Sequence, residues 1–423
     1  LGKASFDSEG AQKRLCTFFE VETLDAFGQF SRAEVSALGA VLDYLEITQK
    51  GKLPLLAAPV REVAGRVMQI DAATRRNLEL TRSMQGARAG SLLGAIDRTL
   101  TAQGARLLER RVSSPSCDVA EISARLDAVS GGLADTGFLA DTRDSLRHVP
   151  DMERALSRLG LERGGPRDLA SIRNGLGKAG DIGSNMAGLE LPTLLREAGQ
   201  KLLGHDALVD LLDAALVAEP PLFARDGGFV AAGYDEELDA SRALRDEGRG
   251  VIAKMQAEYA ADTGISALKI KHNNVLGYFI EVTATHAEKM LGAPLNERFK
   301  HRQTTANQVR FTTPELSEME TRILNAGGRA TEIELRIFGE LRRAILEAQE
   351  AVFAATGALA EIDLALGLAS IAREEDWARP SVDMSHALEI SQGRHPVVEQ
   401  ALRRQGSTSF VPNDCVLAED DQL

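Results

Sequence analysis

Two short runs carry the residues best suited to chemistry. Lys269-Ile-Lys-His-Asn-Asn274 and Arg302-Gln-Thr-Thr-Ala-Asn-Gln-Val-Arg310 mix long cations with Asn, Gln and Thr. Such side chains bond phosphate and sugar oxygens and so position a nucleic acid without reading its sequence. Residues 264–312 hold seven basic and three acidic residues, a local +4 that leaves −17 for the rest of a chain of net charge −13. A basic tip on an acidic protein of pI near 5.2 argues against indiscriminate coating of nucleic acid and leaves room for a local polyanion site. Stacking aromatics are few here: Tyr278, Phe279 and Phe311. Strict alternation puts Tyr278 and Phe279 on opposite faces, so at least one belongs to a core. Duplex backbone contact is the chemistry these residues suit best. The same charges also suit a solvated insertion that touches nothing.

Other chemistries fail on spacing. Gly175-Leu-Gly-Lys178 shares letters with a phosphate loop, but Ile172 stands where the first glycine is required and Ala179 where Ser or Thr would hold Mg²⁺. It reads as a helix end. No Gly-x-Ser-x-Gly elbow supports a Ser-His-Asp triad. His272, His286 and His301 stand fourteen and fifteen residues apart with no carboxylate in register, so no metal site is expected. Cys16, Cys117 and Cys415 are far apart and form no CxxC, which points away from disulfides and zinc and towards a reducing compartment. Catalysis by these residues is not expected.

The basic runs must be held by their neighbours. Residues 267–272 and 278–283 read as strands, with Asn273-Asn274 and Gly277 supplying turn chemistry. Before them, residues 235–261 carry an apolar line at Leu244, Ile252, Met255 and Tyr259, broken by Gly248. After them, Thr313-Pro314-Glu315 reads as an N-cap, a proline at the first helical position and an acid in the first turn. The line it opens runs through Ile337, Leu341, Ile345, Val352, Leu359, Ile362 and Leu366. Gly327-Gly328 and Gly357 interrupt it at about 1 kcal/mol each relative to alanine. The line resumes in phase, so the helix is expected to persist. Arms of about 26 and about 55 residues would span about 40 and about 80 Å.

The rest of the 423 residues suits two to four domains. Hydrophobic content of 44% suffices for a core, and 4% aromatics favour helix over β-sandwich. A helix is expected at 31–49, a linker at 51–54 and a strand at 60–70. Helices follow from Asp71 and at 91–97, 102–111, 119–130, 138–146, 152–159, 167–176, 191–203 and 207–216. Asp226-Gly227 suggests a two-residue hairpin within 223–230. Short strands are expected at 387–390 and around Phe410. The apolar stretch 358–372 is broken by Glu361 and Asp363, so no membrane span is expected. No signal peptide is read. Leu1 in place of Met, and the run Glu419-Asp-Asp-Gln-Leu423, lead us to expect a piece of a longer protein.

Asp71-Ala-Ala-Thr-Arg-Arg-Asn-Leu-Glu79 resembles the MutS family of DNA mismatch repair proteins. Pro166-Arg-Asp-Leu169, Arg225-Asp-Gly-Gly228, Gly233-Tyr-Asp-Glu-Glu-Leu-Asp239, Gly277-Tyr-Phe-Ile280 and Gly393-Arg-His-Pro-Val-Val-Glu399 fit the same family in the same order. The resemblance covers essentially the whole chain. It implies a mainly α fold: a multi-helix core with long antiparallel lever helices carrying a small inserted β-rich clamp. Residues 1–49 would be the end of a connector domain and 50–248 the first part of core and lever. The clamp would be 249–313, the second part of core and lever 314–386, and the opening of an ATPase domain 387–423.

Full-length relatives are cytoplasmic homodimers that encircle mismatched or damaged duplex DNA, use ATP and Mg²⁺ to become sliding clamps, and recruit MutL. Nucleotide-driven change would move the clamps through the arms. Carried over residue by residue, the DNA-contacting clamp asparagines fall on Asn273 and Asn307. Lys269, Lys271, His272, Arg302, Thr304 and Arg310 are their neighbouring candidates. Ala306 replaces a basic residue common in relatives, which removes one phosphate contact. Phe410-Val411 resembles the segment whose ring stacks on adenine, but with no phosphate loop present the chain is not expected to hold ATP by itself. Phe18-Phe19-Glu20 matches the letters of the family's mismatch wedge, Phe-x-Glu. That motif lies well upstream of the connector in relatives, so these phenylalanines read as core. The rival readings are a helical scaffold with a solvated tip, and a MutS-like paralogue acting in recombination.

Overall fold

A computed structural model describes residues 1–50, 53–61, 65–273, 275–406 and 409–417. Asn274, part of the 51–54 linker, the middle of the expected 60–70 strand and the run 419–423 lie outside them. The chain divides into two compact units. One comprises Leu1–Gly164, Asp168–Leu212 and Ala344–Leu423; the other comprises Gly165–Arg167 and Asp213–Arg343.

The first unit is built on the helix Gln349–Glu374. Its side chains are apolar on most sides, and Val352, Leu359, Ile362, Leu366 and Ile371 are fully buried. A helix of that kind belongs in a core. Helices Ala102–Ser113, Val119–Ala134, Thr136–Leu146, Met152–Gly160 and Thr193–Lys201 pack around it. By length and a mean hydropathy of 1.6 it could cross a membrane, which the expectation from 358–372 missed; here it is the central core helix. Asp363, fully buried on it, accepts the Leu100 N–H at 2.9 Å and the Thr101 N–H and hydroxyl, both at 2.7 Å. Those donors open helix Ala102–Ser113, so one acid fixes where that helix starts.

Capping chemistry sets the other helix starts. Asp71, Asp118, Asp135 and Asp151 each accept a first-turn N–H, and Ser31 with Glu34 forms a capping box. Phe18 and Phe19 pack on the small core of Ala11, Leu15, Val35 and Leu42, which fits their reading as core. Three expectations for this part of the chain need correction. Helix Pro166–Met186 runs well past residue 176, so Gly175-Leu-Gly-Lys178 lies in its interior. A Cβ on Gly175 would lie 2.3 Å from the Met152 sulfur, so packing explains that glycine. Of the 60–70 strand, only a bridge between Val67 and Ser116 forms among the described residues. The last strand is Asn413–Leu417, paired with Leu388–Gly393, and it begins after Phe410.

In the second unit, helix Glu236–Thr263 is capped by Asp235 and stopped by Gly264 at φ +64°. Helix Pro314–Glu347 returns antiparallel to it. Paired residues lock the two in register: Asp235 with Arg336 at 2.8 Å, Glu237 with Arg329 at 2.6 Å, and the Tyr259 hydroxyl with that of Thr313 at 2.7 Å. Buried Glu334 binds Arg242 and accepts the Gly228 N–H at 2.8 Å. That bond reshapes 223–230, where a 3₁₀ turn Ala224–Asp226 and two positive-φ glycines replace the expected hairpin. The expected boundary at 248–249 falls inside the continuous helix Glu236–Thr263.

The second arm is not one helix of about 55 residues. It is interrupted at Ala348 (φ −92°, ψ 11°) and not at any glycine. Gly327 has nothing nearer than 4.0 Å to an added Cβ, and Gly328 and Gly357 have nothing within 4 Å. Gly248 differs: a Cβ there would lie 2.4 Å from Ile323 Cγ1 on the facing arm. Gly328→Ala should therefore raise stability by up to about 1 kcal/mol. Gly248→Ala should lower it by about 1–3 kcal/mol despite the same propensity gain. Urea midpoints read both, and equal shifts would contradict the close approach.

Candidate nucleic-acid interface

The second unit carries a four-stranded antiparallel sheet of β1 (Lys269–Asn273), β2 (Gly277–Thr283), β3 (Lys300–Thr304) and β4 (Gln308–Thr312), in the order β1-β2-β4-β3. Cross-strand partners share a face. Ile270 and Ile280 pair, as do Ile280 with Phe311 and Val282 with Val309. These belong to a core with Met255, Tyr259, Phe299 and Leu316, so this face of the sheet is packed into its own unit.

The other face holds most of the candidate cations. Lys269 stands opposite Glu281, Lys271 opposite Phe279, Glu281 opposite Arg310, and Arg310 opposite Gln303. Glu281 is only 5% exposed. Its carboxylate accepts Lys271 Nζ at 2.6 Å on one oxygen and Arg310 Nε at 3.3 Å on the other. Arg310 also donates to Gln303 Oε1 at 2.8 Å and lies 4.5 Å over the Phe279 ring. One polar ladder thus crosses all four strands. Burial alone would push the Glu281 carboxyl up, but the Lys271 hydrogen bond and charge, with those of Arg310, hold it below its ordinary value.

The ladder divides the candidates by task. Lys271 and Arg310 are bound to Glu281. Lys269 and Arg302 are exposed, and neither side chain has a partner among the described residues. Arg302 is the extra residue of the β3 irregularity between His301 and Gln303. Asn273 Oδ1 accepts the N–H groups of Val275 and Leu276 at 2.9 and 2.8 Å, so that side chain builds the β1–β2 turn. His272 lies against Tyr278, ring centroids 4.9 Å apart, and Thr304 bonds His301 at 2.9 Å. Asn307 is exposed, and its carbonyl receives the Ala284 N–H at 3.2 Å.

Asn273 and Asn307 do not form one patch. Asn273 faces Gly277 at the start of β2, while Asn307 meets Ala284 just past its end. Seven residues of strand place the two turns about 23 Å apart, at opposite ends of the sheet. Gly277 is held twice over. Its φ is +70°, and a Cβ there would lie 1.6 Å from Glu320 Oε1, the atom that accepts the Tyr278 N–H at 3.3 Å. Sequence reading missed Glu281 and Glu320 as organisers. An acid placed between Ile280 and Val282 is the one signal that marks Glu281.

The adenine-stacking candidates lie elsewhere, in the first unit. Phe410 is half-buried and Val411 is 75% exposed. They would offer a ring face and no phosphate contact. Among the described residues no group of three or more His, Cys, Asp or Glu could hold a metal ion.

Comparison with known proteins agrees along the length of the chain. The family model of MutS domain III matches residues 73–369, and that of MutS domain II matches residues 2–57. The chain is 63% identical over 417 residues to the DNA mismatch repair protein MutS of Paracoccus denitrificans (strain Pd 1222), covering 99% of this chain and 47% of that protein. It is 63% identical over 420 residues to that of Ruegeria pomeroyi, covering 99% and 48%. The identity is 62% over 419 residues to that of Cereibacter sphaeroides (strain ATCC 17025 / ATH 2.4.3), again covering 99% and 48%. The chain spans about half the length of the curated relatives it matches.

The depressed Glu281 carboxyl gives a pH dependence of definite sign. Its contribution is complete above the unfolded glutamate value of about 4.3 and is lost as the pH falls through its lower folded value. Urea unfolding of the second unit should weaken on that acid limb. Glu281→Gln should flatten the limb while lowering stability at neutral pH. An acid limb unchanged in the variant would show that the ladder does not bear on stability.

Proposed function

The chain belongs to the MutS family of DNA mismatch repair proteins, and from that membership we propose that it embraces duplex DNA through contacts to the phosphate backbone. The observation that carries the reading is the pair of exposed cations, Lys269 and Arg302, without partners among the described residues, on a locally basic sheet of an acidic chain. Exposed amide and hydroxyl groups of Asn307 and Thr304 stand on the same hairpin as Arg302. The aromatic rings nearby are buried (Phe279, Phe299, Phe311) or half-buried (Tyr278). Among the described residues that leaves no fully exposed Phe, Tyr or Trp ring on the sheet for stacking unpaired bases, which favours duplex over single strands.

In this reading residues 249–313 act as the clamp and the two long helices as its levers. Tyr259 and Thr313 join the arms at the sheet, and both arms share the sheet's core, so displacement of the arms carries the sheet with them. The whole protein would act as a homodimer in the cytoplasm, with MutL as partner and ATP with Mg²⁺ supplying the energy for closure. Phe410 and Val411 would contribute an adenine-facing surface, with the phosphate contacts coming from residues outside this chain. A role in repair, as opposed to recombination, is supported by the relatives, which are DNA mismatch repair proteins.

Anisotropy titration of labelled duplex tests the clamp. The variant is Lys269→Ala/Arg302→Ala, because alanine at Lys271 or Arg310 would strand the buried Glu281. Two lost contacts should lower the slope of log K against log salt by about 1.8. Equal binding by parent and variant at low salt would sink the assignment. A stable oligomer indifferent to DNA in light scattering would favour the scaffold reading.

A further inference from the structure

The ladder has a consequence beyond folding. We propose that Glu281 tunes the strength and salt sensitivity of the sheet's hold on a phosphate backbone, by discounting the charge of Lys271 and Arg310. This rests on the duplex-binding reading above. Glu281 is a positioning residue: it acts through the two cations and meets no phosphate itself.

The geometry leaves Glu281 no alternative. It sits mid-strand on β2, 5% exposed, with one carboxylate oxygen on Lys271 and the other on Arg310. Arg310 is fixed further by Gln303 and by the Phe279 ring beneath it. Neither cation can turn fully towards a phosphate without leaving a buried carboxylate short of a donor. The side chains remain within reach of solvent, at 48% exposure for Lys271 and 22% for Arg310. A polyanion at this face therefore meets two cations and one anion, a net +1 where the cations alone would present +2. Lys269, opposite Glu281 across β1 and β2, has no side-chain partner among the described residues.

The discount changes binding in a measurable way. Each phosphate neutralised contributes about 0.9 to the salt slope, so one full charge changes the affinity ratio between 50 and 200 mM salt by about 3.5-fold. A weaker, sequence-independent hold also suits a protein that must move along its DNA.

The test measures duplex affinity against salt for the parent, Glu281→Gln, Glu281→Gln/Lys271→Gln and Lys269→Gln, with folding of each checked by circular dichroism. Glu281→Gln should steepen the slope by about 0.9 and raise affinity at 50 mM salt about threefold or more. The double variant removes one charge of each sign and should return to the parent slope. Lys269→Gln should lower the slope by about 0.9. A folded Glu281→Gln with the parent's slope overturns the proposal. So does a double variant whose slope falls by about 0.9, which would mean that Lys271 carried its full charge all along; this arm serves even where the single variant fails to fold. If the parent shows no salt-dependent duplex binding, the clamp reading and this inference fall together. If Lys269→Gln behaves as expected and the Glu281 variants do not, only the inference falls.

Discussion

A carboxylate taken out of water must be met by donors, and three of the buried acids among the described residues show what that does to the fold. Asp363 gathers the start of helix Ala102–Ser113, Glu334 gathers Gly228 and Arg242, and Glu281 gathers Lys271 and Arg310. An unmet buried charge costs several kcal/mol, far more than a surface pair contributes. Each acid therefore dictates where its partners go. Apolar packing supplies the bulk of the stability, but it is tolerant of small slips. The acids give each unit a single register. In the sheet that register decides which cations are spoken for and which are free.

Much of the fold was legible because its signals are local. The apolar line of Ile252, Met255 and Tyr259 and the Thr313-Pro314-Glu315 start define the arms from neighbouring residues alone. Asp71, Ser31 and Thr101 cap helices where side-chain type predicts it. The misses are positions decided by distant partners. The 223–230 loop yields its hairpin because Glu334, more than a hundred residues on, takes the Gly228 N–H. Gly175 and Gly248 look like helix breakers, yet they are close approaches to Met152 and Ile323. Ala348, an ordinary helix former, is where the second arm is interrupted.

The site was legible as composition and not as geometry. Cations beside Asn, Gln and Thr mark a phosphate-contacting surface in any arrangement. Which of them are available depends on strand pairing. Lys269 and Lys271 are equivalent in sequence, two residues apart on one strand face, yet only Lys271 closes on Glu281. Arg302 and Arg310 differ in the same way, since the β3 irregularity exposes Arg302 while Arg310 lies across Phe279. Asn273 and Asn307 mark two separate polar patches in the sequence, and the antiparallel order sets how far apart they stand, at opposite ends of β2.

That order also answers the objection from net charge. A chain at −13 would repel a polyanion if charge acted at all distances. At physiological salt it acts over about 8 Å. The acids that open the first arm, Glu236 and Glu237, lie at the far end of a 28-residue helix from Thr263, about 40 Å along its axis and well beyond that range. Three of the acids close to the sheet are matched by cations. Arg298 takes Asp262 at 2.8 Å and Glu315 at 3.4 Å, and Glu281 lies between Lys271 and Arg310. What a phosphate meets at short range is then the residue left over after these pairings, Lys269 and Arg302 first of all. Distance along the arm and the pairing of Asp262, Glu281 and Glu315 leave these cations to act at short range, because screening is short compared with a helix.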